Sequence, residues 1–247
     1  MHRFGTIALT TLLGLTGAEA SASEDQAGTV VLLHGLARSA DSMTEMEDAL
    51  LAAGYRTCNI DYPSTDHPIQ ELASNYILPA IHSCTSDEPV TLHFVTHSMG
   101  GIIVRHLRTD QPTLQFGRVV MLGPPNSGSE VVDKLGDLAP FEWINGPAGQ
   151  QLGTAENALP RSLGATDLEV GIIAGEDSIN PILSLMIPGE DDGKVSLENA
   201  KLEGMSDFLV VPVSHPFLMK DDEVIEQTLH FLEHGGFQKV AESGQDS

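Results

Sequence analysis

The chain has 247 residues, of which 41% are hydrophobic and 5% aromatic, and this length is enough to bury the core of one α/β domain. It carries 12 basic and 35 acidic residues, which gives a formal net charge of −23. So acidic a surface disfavours nucleic acids and anionic membranes as partners, and it disfavours polyanionic substrates.

The first residues have the pattern of a secretory signal peptide. Arg3 gives a basic start, residues 4–17 are apolar or small and uncharged, and small residues precede cleavage points after Ala20 and Ala22. We therefore predict that residues 1–22 are removed and that the protein is secreted or periplasmic. The apolar run is shorter than the ~20 residues of a membrane span. No cysteine lies near the cleavage points, so no stable membrane anchor is expected.

After the leader, strand-like and helix-like segments alternate along the chain. Short β-branched apolar runs indicate strands buried on both faces, and segments with a helical apolar period indicate helices. This alternation predicts an α/β fold, with a mostly parallel sheet of about six strands and helices on both faces. The predicted strands are residues 29–33, 55–60, 90–95, 118–122, 168–174 and 208–213, and the predicted helices are residues 43–53, 69–84, 101–108, 131–138 and 222–234.

Residues 23–247 are expected to form one domain, with a frayed polar tail at residues 240–247. The alternation loosens over residues 124–161, a stretch rich in Gly, Pro and Asn. This stretch is placed to form a cap or loop beside a binding site. Its large apolar residues, which either line an acyl pocket or pack against the sheet, are Phe141, Trp143 and Ile144.

The chain has two cysteines, Cys58 in a predicted strand and Cys84 at the end of the following predicted helix. In an exported protein an even pair of cysteines favours a disulfide, which would join this strand to this helix. Two buried thiols are the alternative. Neither cysteine lies on a turn suited to expose a nucleophile.

The turn after the third predicted strand contains the candidate nucleophile, Ser98, in Thr96-His97-Ser98-Met99-Gly100-Gly101. A strained strand-to-helix turn holds a serine hydroxyl out towards a base at the carboxyl edge of a sheet. Small residues flank such a serine because the strand and helix backbones approach closely. Gly100 and Gly101 meet this need, whereas Thr96 stands where glycine is usual. The alternative is an ordinary turn that begins a Rossmann-like helix, but the glycines of a dinucleotide fingerprint are missing.

The first predicted strand runs directly into His34-Gly35-Leu36. Acyl transfer requires two backbone N–H groups aimed at the developing oxyanion. The residue after the nucleophile, Met99, supplies one of them in this type of site, and the loop after the first strand supplies the other, for which we choose Leu36. We expect His34 to orient this loop by hydrogen bonds rather than to act as a base.

Of ten histidines, His215 is the candidate general base because it alone lies on a loop directly after the last predicted strand and after the serine in chain order. The acid that orients it is expected between the serine and His215, beyond the fifth predicted strand. Asp177, Asp191 and Asp192 all satisfy this order. An acidic surface patch or a calcium site is the alternative explanation for the cluster.

Several segments together resemble bacterial lipases and esterases of the α/β-hydrolase superfamily. The resemblance implies an α/β-hydrolase fold with a minimal core of six strands, and it implies Asp192 as the acid, because several such lipases carry the aspartate in an Asp-Gly-hydrophobic segment. Alanine occurs at the position of Thr96 in some members, so a small residue other than glycine is tolerated. The segments are residues 30–36, 94–101, 120–129, 191–195 and 213–215.

These residues predict a secreted serine hydrolase that cleaves carboxylic esters through an acyl-enzyme, without cofactor or metal. A small ester with a short or medium acyl chain is the expected substrate, followed by a long-chain lipid. Two alternatives remain open: an acyltransferase or thioesterase that uses the same triad, and a hydrolase-fold binding protein without catalysis.

Overall fold

The computed structural model describes residues 28–85, 90–135, 139–179, 184–185 and 187–239, and within these it describes no side chains for residues 139–144. The predicted signal peptide and the polar tail lie outside the described residues, as do the side chains of Phe141, Trp143 and Ile144.

The described strands form a six-stranded sheet in the order β2-β1-β3-β4-β5-β6, and every neighbouring pair is parallel. This order places β3, which precedes Ser98, in the interior of the sheet. The predicted α/β fold with a parallel sheet of about six strands is confirmed. The strands are β1 (Thr29–Leu33), β2 (Arg56–Ile60), β3 (Leu92–His97), β4 (Phe116–Leu122), β5 (Val170–Asp177) and β6 (Asp207–Ser214).

Helices cover both faces of the sheet, as predicted. Helix α2 consists of three consecutive segments without interruption, which are Ile69–Glu71, the π-helical Leu72–Ile77 and Leu78–Thr85. Two short 3₁₀-helices precede α1 and α8, at Ala40–Met43 and His215–Lys220 respectively. The other described helices are α1 (Thr44–Ala52), α3 (Met99–Asp110), α4 (Glu130–Leu135), α5 (Ala139–Gln150), α6 (Leu159–Ser162), α7 (Leu197–Ala200) and α8 (Asp222–His234).

The alternation of side chains along β1 divides the core into two layers. All five residues of β1 are buried, and successive side chains point to opposite faces of a strand. Val31 and Leu33 belong to the apolar cluster that includes Ile102 of α3 and Leu72 of α2. The intervening residues of β1 belong to the cluster on the other face, which includes residues of α1 and α8. The sheet is therefore buried on both faces.

The last helix begins and ends where the sequence predicts, because its capping residues are strong ones. The Asp221 carboxylate accepts hydrogen bonds from the amides of Glu223 and Val224 at 3.0 and 3.2 Å, which satisfies two free donors of the first turn. Gly235 adopts a left-handed conformation with φ 77°, and its N–H donates to the Phe231 carbonyl at 2.8 Å. Glycine is the residue that adopts this cap without strain.

A disulfide joins Cys58 of β2 to Cys84 of α2, with a Cα–Cα distance of 6.2 Å across a sequence separation of 26 residues. The predicted pairing is therefore present. Closing a loop of this size restricts the unfolded chain and stabilises the fold by about 3 kcal/mol.

The sequence did not predict helix α5, since it contains Gly146 and Pro147, which disfavour helix. The chain kinks here, with φ 60° and ψ −165° at Gly146. A Cβ at Gly146 would lie 1.6 Å from the Thr65 carbonyl oxygen, so only glycine fits this approach to the loop after β2. The stretch predicted as a cap or loop thus contains three short helices, α4, α5 and α6.

No described helix combines the length and apolar character that crossing a membrane requires.

Candidate active site

Ser98 lies in a strained turn between β3 and α3. Its φ of 53° and ψ of −120° are unfavourable for a residue with a side chain and cost about 1–3 kcal/mol. Among the described residues other than glycine, Ala37 is the second with positive φ. Two backbone hydrogen bonds hold the turn, from the Ser98 N–H to the Leu122 carbonyl at 2.8 Å and from Gly101 to the Ser98 carbonyl at 3.0 Å. Strand β3 extends further than predicted, to His97, and α3 begins at Met99. Ser98 is therefore the single residue between the strand and the helix.

The glycines after Ser98 are required by close packing. A Cβ at Gly100 would lie 2.7 Å from the Leu33 carbonyl oxygen and 3.2 Å from the Thr96 Cβ. A Cβ at Gly101 would lie 3.2 Å from the Met121 sulfur. Thr96 is fully buried, and the absence of a side chain at Gly100 leaves room for the Thr96 Cβ. Gly100, on the helix side of the turn, thus compensates for the absence of the usual glycine at position 96.

His215 and Asp192 form a buried pair. The His215 Nδ1 lies 2.6 Å from the Asp192 Oδ2, and the two residues are 3% and 2% exposed. The second carboxylate oxygen, Oδ1, accepts from the amides of Lys194 and Val195 at 3.0 and 2.9 Å. The His215 amide in turn donates to the Asp192 carbonyl at 3.0 Å. Each oxygen of the carboxylate therefore has a donor, and the loops after β5 and β6 are tied together.

The other two candidate acids lie elsewhere. Asp177 is exposed at the end of β5. Asp191 is buried, but its carboxylate accepts from the Gly193 amide at 2.7 Å and the Ser184 hydroxyl at 2.8 Å. Of the three aspartates, Asp192 is the one whose carboxylate contacts His215.

Glycine at position 123, directly after β4, makes room for this pair. A Cβ there would lie 3.0 Å from both the Asp192 Oδ2 and the His215 Nδ1, and φ at Gly123 is +55°. The sequence analysis missed this residue. The available signal was a glycine directly after a buried strand at the carboxyl edge of the sheet.

The two residues predicted to supply the oxyanion donors, Leu36 and Met99, both lie close to Ser98. Met99 is the first residue of α3, so its N–H has no acceptor within the helix. Leu36 lines the same cavity as Ser98, and a Cβ at its neighbour Gly35 would lie 3.3 Å from the Ser98 Cβ. The loop after β1 therefore passes directly against the serine turn.

His34 supports this loop through hydrogen bonds. It is fully buried, its Nδ1 donates to the Gly35 carbonyl at 2.8 Å, and its Nε2 accepts from the Tyr62 amide at 3.4 Å. The Tyr62 hydroxyl donates to the His34 carbonyl, and the two rings stack at 4.0 Å. Burial lowers the pKa of His34 below its usual value, which favours the neutral ring that these contacts require. His34 is thus a part of the loop's framework.

His97, next to the serine, contacts the backbone of His215. Its Nε2 lies 3.0 Å from the His215 carbonyl oxygen, and since a carbonyl only accepts, Nε2 carries the proton. Burial, followed by the neighbouring His215, lowers the pKa of His97 well below its usual value. His97 is therefore a neutral side chain that links the serine turn to the His215 loop, and the sequence analysis did not identify it.

Arg105 of α3 holds the loop after β4 in place. It is 5% exposed and donates to the carbonyls of Asn126 and Gly164 at 3.0 and 2.7 Å. Burial lowers the pKa of Arg105 to about 10. This buried cation therefore fixes the start of the segment between β4 and β5, which lines one side of the cavity described next.

A cavity of about 270 Å³ opens beside Ser98. We call two groups among its lining residues the polar wall and the apolar wall. The polar wall comes from the end of β3 and from the loops after β1, β3, β5 and β6, and the apolar wall comes from the segment between β4 and β5. The polar wall is Arg38, His97, Ser98, Lys194 and His215, and the apolar wall is Val131, Val132, Leu135 and Leu152.

Among the described residues, no group of three or more His, Cys, Asp or Glu side chains is arranged to hold a metal ion.

The cavity thus brings together a serine on a strand-to-helix turn and a histidine that contacts a buried aspartate. The model of the alpha/beta hydrolase family matches residues 30–226, and the chain belongs to this family. The predicted resemblance to bacterial lipases and esterases of the superfamily is confirmed.

Solved structures with the same fold include lipolytic enzymes. A lipase of Bacillus licheniformis in its mature form is 21% identical, with a TM-score of 0.65, over 83% of this chain and 92% of that one. An esterase of a Rhodococcus species is 17% identical, with a TM-score of 0.54, over 85% and 92%. The phospholipase PlaB of Legionella pneumophila is 15% identical, with a TM-score of 0.67, over 84% of this chain and 60% of that one. No curated protein sequence matches significantly.

Proposed function

We propose that this protein is an exported serine hydrolase that cleaves carboxylic esters of short or medium acyl chain length. Ser98 is the nucleophile, His215 the general base and Asp192 the residue that orients it. The amides of Leu36 and Met99 bind the oxyanion. The observation that carries the proposal is the buried 2.6 Å contact between His215 and Asp192, with His215 lining the same cavity as Ser98 on its strained turn.

In the first half of the reaction, the Ser98 Oγ attacks the ester carbonyl carbon while its proton passes to the His215 Nε2. Asp192 holds Nδ1, which leaves Nε2 as the basic nitrogen and stabilises the imidazolium that forms. The carbonyl oxygen becomes an oxyanion that accepts from the amides of Leu36 and Met99. Collapse of the tetrahedral intermediate breaks the C–O bond, and His215 gives its proton to the leaving alcohol.

In the second half, water replaces the alcohol. The His215 Nε2 takes a proton from the water as it attacks the acyl carbonyl, and the same amides bind the new oxyanion. Collapse returns the proton to the Ser98 oxygen and releases the carboxylic acid. The overall reaction consumes one water for each ester and needs no oxidant or reductant.

The apolar wall supports an acyl substrate. The cavity has an aliphatic side formed by Val131, Val132, Leu135 and Leu152, and its volume of about 270 Å³ is slightly below the usual range of ligand sites, about 300–1,000 Å³. Its size favours a short or medium acyl chain over a long one. The lipases and esterases among the structural neighbours agree with this chemistry.

Export is supported by the disulfide between Cys58 and Cys84, which persists in an oxidising compartment. N-terminal sequencing of protein from the periplasm or medium is expected to begin at Ser21 or Ser23. Recovery of the full chain from the cytoplasm alone would argue against export.

The test of the activity is hydrolysis of p-nitrophenyl esters from acetate to dodecanoate. We expect the highest kcat/KM for chains of about four to eight carbons, since the cavity is small. In Ser98→Ala the nucleophile is lost, and kcat should fall by about 10⁴-fold or more.

Ser162→Ala is the matched control, because its hydroxyl donates to the Leu159 carbonyl in α6 and Ser162 is not among the residues that line the cavity beside Ser98. It should retain wild-type rates. Equal activity of Ser98→Ala and wild type would refute the role of Ser98.

A further inference from the structure

Two cations lie in the polar wall beside the proposed nucleophile. Arg38 follows Leu36 on the loop after β1, and Lys194 follows Asp192 on the loop after β5. The esterase reaction proposed above assigns no step to either side chain. Both are solvent-accessible, so each can meet a ligand that enters the cavity.

The two cations act on each other. Desolvation lowers the pKa of Lys194, the charge of Arg38 lowers it further, and Asp192 opposes this. Both cations also contribute to the lowered pKa of His97. The carboxylate of Asp192 accepts hydrogen bonds from His215 and from two backbone amides, so its charge attracts Lys194 from a distance without pairing with it. Placing like charges together costs free energy unless a counter-charge is present.

The chain has many carboxylates, yet no described carboxylate forms an ion pair with either of these cations. Some other surface cations do have a carboxylate partner, as Arg108 has Asp167 at 2.7 Å and Lys201 has Glu198 at 2.9 Å. Among the ion pairs of the described residues, none includes Arg38 or Lys194. In a protein with 35 acidic and 12 basic residues, an unneutralised cation pair at the cavity is a local site for an anion.

We propose that the substrate is an ester that carries a phosphate head group on its alcohol side, such as a short-chain acylated glycerol phosphate. The acyl chain contacts the apolar wall, and the phosphate binds between Arg38 and Lys194. This proposal rests on the proposed function and names its substrate class. Arginine and lysine donate charge-assisted hydrogen bonds to phosphate oxygens.

The net charge of the protein limits how this substrate arrives. A charge of −23 repels an anionic membrane surface, whereas a dispersed molecule with one phosphate experiences the local cations. Charges are screened beyond about 8 Å at physiological ionic strength, so the distant carboxylates repel the phosphate less strongly than Arg38 and Lys194 attract it. The substrate is therefore a dispersed anionic ester and not a lipid within a charged bilayer.

The test compares three esters with the same acyl chains, dihexanoyl glycerol phosphate, dihexanoyl phosphatidylcholine and dihexanoyl glycerol, all below their micelle concentrations. The measured quantity is the ratio of kcat/KM for dihexanoyl glycerol phosphate to kcat/KM for dihexanoyl glycerol, which is the neutral ester. We expect the wild type to prefer the phosphate ester. In the double variant R38Q/K194Q the ratio should fall by roughly tenfold or more, because two charge-assisted contacts are lost.

Lys201→Gln is the matched control, because it removes a surface cation that Glu198 pairs; it should leave the ratio as in wild type. A double variant whose ratio equals that of wild type would overturn the proposal, even if both rates fell, because the cations would then assist all esters alike. Activity of wild type on neutral esters together with an unchanged ratio refutes the head-group assignment and leaves the esterase proposal standing.

A binding experiment covers the case in which no ester is cleaved. Calorimetry with Ser98→Ala should show tighter binding of dihexanoyl glycerol phosphate than of dihexanoyl glycerol, and R38Q/K194Q in the same background should remove the difference. Inorganic phosphate is the third ligand, and weak binding of it is expected because it lacks acyl chains. Binding of phosphate alone as tight as that of the phosphate ester would show a free-anion site and overturn the substrate assignment.

Discussion

The two walls of the cavity are built by different means. The polar wall follows directly from strand ends, and backbone hydrogen bonds hold its key groups, as where two amides and His215 satisfy the Asp192 carboxylate. The apolar wall belongs to a segment inserted between β4 and β5, which is held by hydrogen bonds from the Arg105 side chain to its backbone and by the close approach of Gly146 to Thr65. The sheet therefore positions the candidate catalytic residues, whereas the inserted segment sets the room for the proposed acyl chain.

The largest effect is expected in the polar wall, from Asp192→Asn. An asparagine amide facing His215 would favour the wrong tautomer of the ring, and in a serine hydrolase this costs about 10⁴-fold in kcat. Asp177→Asn, at an exposed position on β5, should stay within about twofold of wild type. Both variants are measured by kcat on p-nitrophenyl butyrate. The reverse ranking would transfer the role of the acid to Asp177.

A smaller effect, on selectivity, is expected in the apolar wall. Val132→Phe places a ring in the cavity, and the lost room should reduce kcat/KM for the octanoate ester relative to acetate by about 10–100-fold, since a misfit of a few methylenes costs about 1–3 kcal/mol. Ile225→Phe, whose side chain packs against the cluster on the other side of the sheet, is the control and should keep the wild-type ratio. Unchanged chain-length selectivity in Val132→Phe would show that acyl chains bind elsewhere.

The smallest effect concerns how the stability of the protein depends on pH, and it comes from His97 in the polar wall. Its lowered pKa means that below about pH 6.5 the unfolded chain binds a proton that the folded protein does not. Stability is therefore present above that pH and is lost as the pH falls. Replacing His97 by Asn should reduce the slope of unfolding free energy against pH between 6 and 5 by at most about 1.4 kcal/mol per pH unit.

Urea denaturation at several pH values measures that slope. Thr96→Val is the control, because it alters the neighbouring buried position without removing a titrating group; its slope should match wild type. A slope in His97→Asn equal to that of wild type would mean that His97 takes up its proton in the folded state as readily as in the unfolded chain.

The strand and helix order was predictable because the local signals agree with the fold. Strand β1 is apolar after Thr29, and helix α8 has a strong cap at each end, so these bounds match the prediction. Helix α5 was not predicted, because Gly146 and Pro147 disfavour helix and tertiary contact with Thr65 overrides that preference.

The candidate site was predictable only in part, and the reason is sequence distance. Ser98 and His215 follow strands, so chain order selects them. Asp177, Asp191 and Asp192 follow the same strand, and their residue type does not separate them. The contact between Asp192 and His215 spans 23 residues, and the room left by Gly123 depends on a third loop. Such contacts between loops have no periodic signal in the sequence.

The most direct test of the central claim is labelling of the mature protein with a fluorophosphonate, followed by mass spectrometry of its peptides. An activated serine displaces fluoride and gains the phosphonyl group on its oxygen. The account predicts one adduct, on Ser98, and a strong loss of labelling rate in His215→Ala. Absence of any adduct on the folded wild type, or an adduct at another serine that persists in Ser98→Ala, would contradict it.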